Sequence, residues 1–134
     1  MARYVRPPDT VTSDYIEAHR LGVCIRTPIE NVAFFKAEHK AVVAYTKGNG
    51  EFMLQIPLWV IEEVLKGKFM HVHRSYLVQR RLMPGLSTWR TVTCRVFEIK
   101  TTVKFGDRIG ITAHTIPVAR RLNTTVRKLI EARP

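Results

Sequence analysis

After Gly22 the chain alternates apolar and polar residues or gathers apolar ones in short runs, and neither pattern lasts long enough for a long helix. VCIRT, NVAFFKAEHKAVVAYT and EFMLQI are rich in β-branched and aromatic residues, which predicts strands. KGNG, residues 47–50, separates the last two and reads as a hairpin turn. In LWVIEEVLKGK, after Pro57, the residues Leu58, Ile61 and Leu65 share a helical face and Gly67 is suited to the positive φ of a helix end. YLVQ, the alternating TVTCRVFEIK and TIPVARR predict further strands, divided by turns at MPGLS and FGD. Asn123 is placed to cap a last amphipathic turn or two through Val126, Leu129 and Ile130.

The first residues follow neither rhythm. Arg3, Arg6, Pro7 and Pro8 make a stiff, charged arm, and Asp14 with Glu17 gives SDYIEAHR a weak helix-start signal. The expected fold is mainly β: small antiparallel sheets with one short internal helix and a short C-terminal helix. Residues 1–28 are expected to form an N-terminal arm or short helical extension, and residues 29–134 the domain proper.

The apolar rhythm breaks once, in FMHVHRSYLVQRR at residues 69–81, where His73, Arg74 and Ser75 interrupt a run that otherwise suits a core edge. An ionised guanidinium is costly to remove from water without a partner. Arg74 is therefore expected to leave the core and meet something outside it, the alternative being a core-edge salt bridge to Glu62 or Glu63. His71 and His73 could place two imidazoles on one strand face, but no third ligand stands at a telling spacing, so no metal is expected. His73 is expected to hydrogen-bond across the base of the loop. Trp59 and Trp89 are expected in the core or at an interface.

Composition changes the picture in one respect. With 134 residues, 46% of them hydrophobic, the chain supports one ordinary core. Its 22 lysines and arginines against 11 acidic residues give a net charge of +11, which points to a polyanion: nucleic acid first, an anionic membrane surface second. Cys24 and Cys94 show no metal-ligand or redox spacing and are expected to be reduced, partly buried thiols. No signal peptide and no apolar run near the ~18–20 residues of a spanning helix is visible, so a soluble, cytoplasmic protein is expected. A Gly-rich phosphate loop, GxSxG and HExxH are all missing and the carboxylates are scattered; neither catalytic residues nor a cofactor are expected.

The ordered set NVAFFKAEHKAVVAYTKGNGEFMLQIPLWVIEEVL, FMHVHRSYLV and TIPVARR resembles the LytTR family of bacterial DNA-binding domains, over roughly residues 29–131. The resemblance implies small antiparallel sheets whose loops enter successive major grooves on one face of double-stranded DNA, in a transcriptional regulator without catalytic activity. It assigns DNA contacts to His39 and Lys40 at the tip of the first strand pair, to Arg74, and to Arg120 beside Arg121, with His73 and Ser75 in support. Gln79 stands where the family has asparagine and keeps an amide that can contact DNA. Ala119 stands where the family has serine and loses a hydroxyl.

Arginine reaches guanine O6 and N7 together, which makes Arg74 and Arg120 the expected base readers. Lys36, Lys40, Arg80, Arg81, Arg95, Arg121, Arg127 and Lys128 are left to phosphates or solvent. Paired DNA repeats, a homodimer on DNA and a regulatory protein partner are implied, and no membrane. The family usually joins this domain to a receiver or a membrane segment, neither of which is present here, so the chain is expected to be a stand-alone regulator or a fragment. Residues 1–28 are left for dimer contact, partner recruitment or minor-groove contact by Arg3 and Arg6. The alternative is a basic RNA-binding or protein-interaction module with the same fold, although no RNP-like run occurs.

Overall fold

A computed structural model describes residues 8–20, 22–48, 50–105 and 107–132; Arg3 and Arg6 lie outside the described residues. Its strands are β1 (Thr10–Val11), β2 (Tyr15–Arg20), β3 (Val23–Pro28), β4 (Val32–Glu38), β5 (Ala41–Thr46), β6 (Glu51–Leu54), β7 (Phe69–His73), β8 (Tyr76–Gln79), β9 (Thr88–Arg90), β10 (Arg95–Phe105) and β11 (Arg108–Val118). Helix α1 (Leu58–Val64) lies between β6 and β7, and α2 (Asn123–Glu131) closes the described chain. The strands form a central five-stranded sheet of order β6-β5-β4-β8-β7, and two three-stranded sheets, β1-β2-β3 and β11-β10-β9. Every strand pairing is antiparallel, in keeping with the expected mainly-β arrangement.

The continuous apolar run of β4 has a direct cause: the central sheet is covered on both faces. Val32 and Phe35 join a cluster with Ile16, Ala18, Ile61, Leu65 and Leu77, which brings in the N-terminal sheet and α1. Ala33 and Phe34 join a second cluster with Val72, Phe97, Ile116, Val126 and Ile130, which brings in the β9–β11 sheet and α2. Neighbours on a strand normally face opposite ways. A register shift between Val32 and Phe34 lets Ala33 and Phe34 share a cluster. Phe34 then stacks on Tyr45 with ring centroids 4.5 Å apart.

Several expectations are corrected here. SDYIEAHR is not a helix or turn: Tyr15–Arg20 is a strand, with Ile16 and Ala18 buried and Glu17 and His19 on the other face. The period of two decides the conformation, and the acidic spacing that mimics a capping box has no helix to cap. The described part of residues 1–28 is therefore a small antiparallel sheet rather than an arm or helical extension. Asn123 is the first residue of α2 and not its cap; a 3-10 turn over Arg120–Leu122 runs straight into the helix, and Asn123 Oδ1 is buried without a hydrogen-bond partner. TVTC is a turn, closed by the Thr91 N–H donating to the Cys94 carbonyl at 2.8 Å, and strand β9 precedes it.

Pro57 stands immediately before α1, and Gly67 after it takes a φ of 89°, where glycine has no steric penalty. Cys24 is exposed and Cys94 half-buried, both as free thiols. Trp59 and Trp89 are 70% and 42% exposed, which removes both from the core.

Candidate nucleic-acid interface

Strand register brings two hairpin tips to one end of the central sheet. In the β4–β5 pair Glu38 faces Ala41, so His39 and Lys40 form the tip. In the β7–β8 pair His73 faces Tyr76, so Arg74 and Ser75 form the tip. Because Lys36 faces Tyr76 across the β4–β8 pair, the two tips project in the same direction. The Ala37 N–H donates to the Ser75 carbonyl at 2.8 Å, which fastens the second tip to the strand leading into the first.

The Arg74 tip is built by its neighbours. A register shift between His71 and His73 breaks the regular ladder there. The Ser75 N–H donates to His73 Nδ1 at 3.2 Å, the bond across the loop base expected for His73. Burial lowers the His73 pKa, with Arg74 and His71 adding to it, and the neutral ring keeps Nδ1 as an acceptor. His71 has a separate partner: its Nδ1 lies 3.0 Å from Glu62 on α1. Arg74 is exposed, and among the described residues no ion pair holds it. Its guanidinium is free to meet an external acceptor.

The closing motif joins the same tip. At the end of β11 the Ala119 N–H donates to the Val72 carbonyl at 2.8 Å. Arg120 and Arg121 follow at once in the 3-10 turn, both exposed. The link is backbone to backbone, so Ala119 makes it without the hydroxyl of a serine.

At the first tip His39 is held at φ 48°, a left-handed conformation that a non-glycine residue adopts at some cost. Its side chain and that of Lys40 are exposed. Nearby, Lys36 pairs with Glu38 at 3.1 Å and lies 5.7 Å over the Tyr76 ring. The hydrogen bond to Glu38 raises the Lys36 pKa.

Gln79 does not belong to this surface. It sits at the far end of β8, facing Phe69, and is only 5% exposed. Its amide nitrogen donates to the carbonyls of Val32 at 2.8 Å and of Ile29 and Glu30 at 3.3 Å each. The expectation that Gln79 contacts DNA is corrected: its donors are used in holding the 3-10 turn of Ile29–Asn31 onto β8. Arg80 and Arg81 follow it at that end, lining a recess with Lys68 and Phe69.

Sequence reasoning also missed His114. Its Nε2 lies 2.8 Å from Thr101 Oγ1, and its ring packs edge-on against Phe34 and Tyr45 with centroids 5.1 and 4.9 Å away. The cross-strand register of β10 and β11 brings Thr101 to His114, and the packing of that sheet on the central one brings Phe34 and Tyr45, neither of which a linear reading reveals.

The model of the LytTr DNA-binding domain matches residues 22–131. The chain belongs to the LytTR family. LytTR domains are a class of DNA-binding domain and not a class of enzyme. The chain is 32% identical over 95 residues to the positive alginate biosynthesis regulatory protein of Pseudomonas aeruginosa, a match covering 71% of this chain and 37% of that protein. It thus spans little more than a third of the relative's length. Among solved structures it is similar to a LytTr DNA-binding domain from Bacillus cereus, with a TM-score of 0.65 and 17% identity over 89% of this chain and 98% of that one. At that identity the likeness establishes the LytTR fold. Among the described residues, no helix is long and apolar enough to cross a membrane.

Proposed function

We propose that this LytTR chain is the DNA-binding part of a transcriptional regulator, and that Arg74 and Arg120 read bases in the major groove of duplex DNA. The observation that carries this reading is the pair of exposed arginines joined through one strand end: the Val72 carbonyl anchors Ala119, next to Arg120, and lies two residues before Arg74. Such a pair can present two planar donor forks to neighbouring base edges. His39 and Lys40 extend the contact along the duplex from the adjacent tip. Arg121 and Lys128 hold phosphates, and His73 with Ser75 shapes the loop.

Transcriptional control is supported by the regulatory name of the Pseudomonas relative. The preferred target is a pair of short repeats on one DNA face, since a domain of this size covers only about one helical turn. Two copies then sit together on DNA, under the control of a regulatory partner protein.

A salt titration against duplex DNA, RNA and random competitor tests the reading. With ~5–8 phosphates neutralised, log K for duplex DNA should fall against log salt with a slope of roughly −5 to −7. A slope near zero, or equal affinity for RNA, would overturn it.

A further inference from the structure

The outer face of the N-terminal sheet gathers three metal-binding side chains. Gly22, at φ 78°, lies in the turn between β2 and β3, and the register sets His19 opposite Cys24 and Glu17 opposite Arg26. Residues two apart on a strand share a face, as do directly opposed residues of an antiparallel pair. Glu17, His19, Cys24 and Arg26 therefore project together while Ile16 and Ala18 enter the core. Cys24 Sγ lies 3.0 Å from Glu17 Oε1, His19 Nε2 lies 3.7 Å from Glu17 Oε2, and the three donor atoms are all within 4.8 Å of one another.

Tetrahedral zinc, with metal–ligand distances of about 2.0–2.3 Å, sets neighbouring donors about 3.3–3.8 Å apart. Cys24 Sγ and His19 Nε2 each stand near that spacing from one of the two Glu17 oxygens, and with all three groups within 4.8 Å, side-chain rotation without backbone movement closes them on one ion. The backbone is held too: the Asp9 carboxylate accepts from the His19 N–H at 3.0 Å and from the Gln55 N–H at 2.8 Å, tying the end of β2 to the segment after β6.

We infer that Cys24, His19 and Glu17 form a binding site for a divalent cation of the zinc class, with water in the fourth position. A thiolate and an imidazole favour zinc-type metals over magnesium or calcium, and three protein ligands leave one position open. When the sulfur–metal bond forms, the Cys24 thiol proton, now donated to Glu17, leaves to solvent. One Glu17 oxygen ligates while the other keeps its bond from Arg26, which makes Arg26 an orienting partner outside the ligand set. Two of the three ligands, Glu17 and His19, precede residue 22, where the family match begins.

The test is a cobalt(II) titration of the reduced, untagged full chain. One equivalent should produce a thiolate-to-cobalt charge-transfer band in the near ultraviolet, and zinc should displace it. Cys24→Ser should abolish the band, and Cys94→Ser should leave it intact. Losing an outer partner of a ligand costs about 10- to 100-fold in affinity, so losing a ligand, as in His19→Gln, should cost at least that. Melting curves of each variant check the fold, and the His19→Gln result is independent of any change at the cysteine. No band with the parent chain, a band kept in Cys24→Ser, or unchanged affinity in His19→Gln would overturn the site.

Discussion

The backbone N–H of Ala119 donates to the carbonyl of Val72 at 2.8 Å, fastening the end of β11 to the strand that carries Arg74. Ala119 has φ −61°, which proline adopts without backbone strain, so Ala119→Pro removes the donor and sets the ring Cδ against the Val72 carbonyl it used to bond. Leaving a buried acceptor unpaired costs about 1–3 kcal/mol. The variant should lose at least that much stability in denaturant unfolding, and its preference for specific over non-specific DNA should fall because Arg120 is no longer set relative to Arg74. Parent-like stability together with parent-like DNA preference would show that the link does not organise the surface.

Gln79 gives the opposite contrast. Gln79→Leu takes a donor from three carbonyls in a buried setting and should destabilise by about 1–3 kcal/mol. Under conditions where the variant is fully folded, its ratio of specific to non-specific DNA affinity should equal that of the parent. A changed ratio in the folded variant would return Gln79 to the interface.

Stability should fall in mild acid. His114 has its pKa lowered from 6.5 chiefly by burial, with Lys36 adding and Glu51 opposing, and His73 is lowered by burial and by Arg74 and His71. The unfolded chain then binds more protons than the folded one as pH drops through 6.5, so unfolding free energy rises with pH across that window and levels off above it. Denaturant midpoints measured from about pH 8 to about pH 5 should show the loss. His114→Gln should flatten part of the slope; an unchanged slope would remove His114 as its source.

Local patterns made much of this fold readable. Alternation with β-branched and aromatic residues marked β4, β5 and β6, and Pro57 and Gly67 bracketed α1. The rhythm break at His73–Ser75 is a hairpin tip, with Arg74 exposed there. Errors arose where a local signal competed with tertiary pairing. The Asp14–Glu17 spacing suggested a helix start, but Ile16 and Ala18 are drawn into the core and select a strand. Gln79 has the donors of a base-reading amide, and only three-dimensional placement reveals that carbonyls already occupy them. The Glu17–His19–Cys24 and Thr101–His114 groupings depend on cross-strand register, which spacing along one strand does not reveal.

The most direct measurement of the central claim is base discrimination by Arg74→Ala, with Arg120→Ala and Lys128→Ala beside it. A bidentate arginine couples affinity to base identity, while a phosphate contact is blind to it. Each arginine variant should lose about 1–3 kcal/mol of discrimination at one base position, and Lys128→Ala should weaken all sequences alike by less. Because Arg74 is exposed and in no ion pair among the described residues, the folded state should be preserved, which a melting curve verifies. If Arg74→Ala folds normally and keeps the parent's ratio of specific to non-specific affinity, Arg74 does not read bases and the proposed interface is wrong.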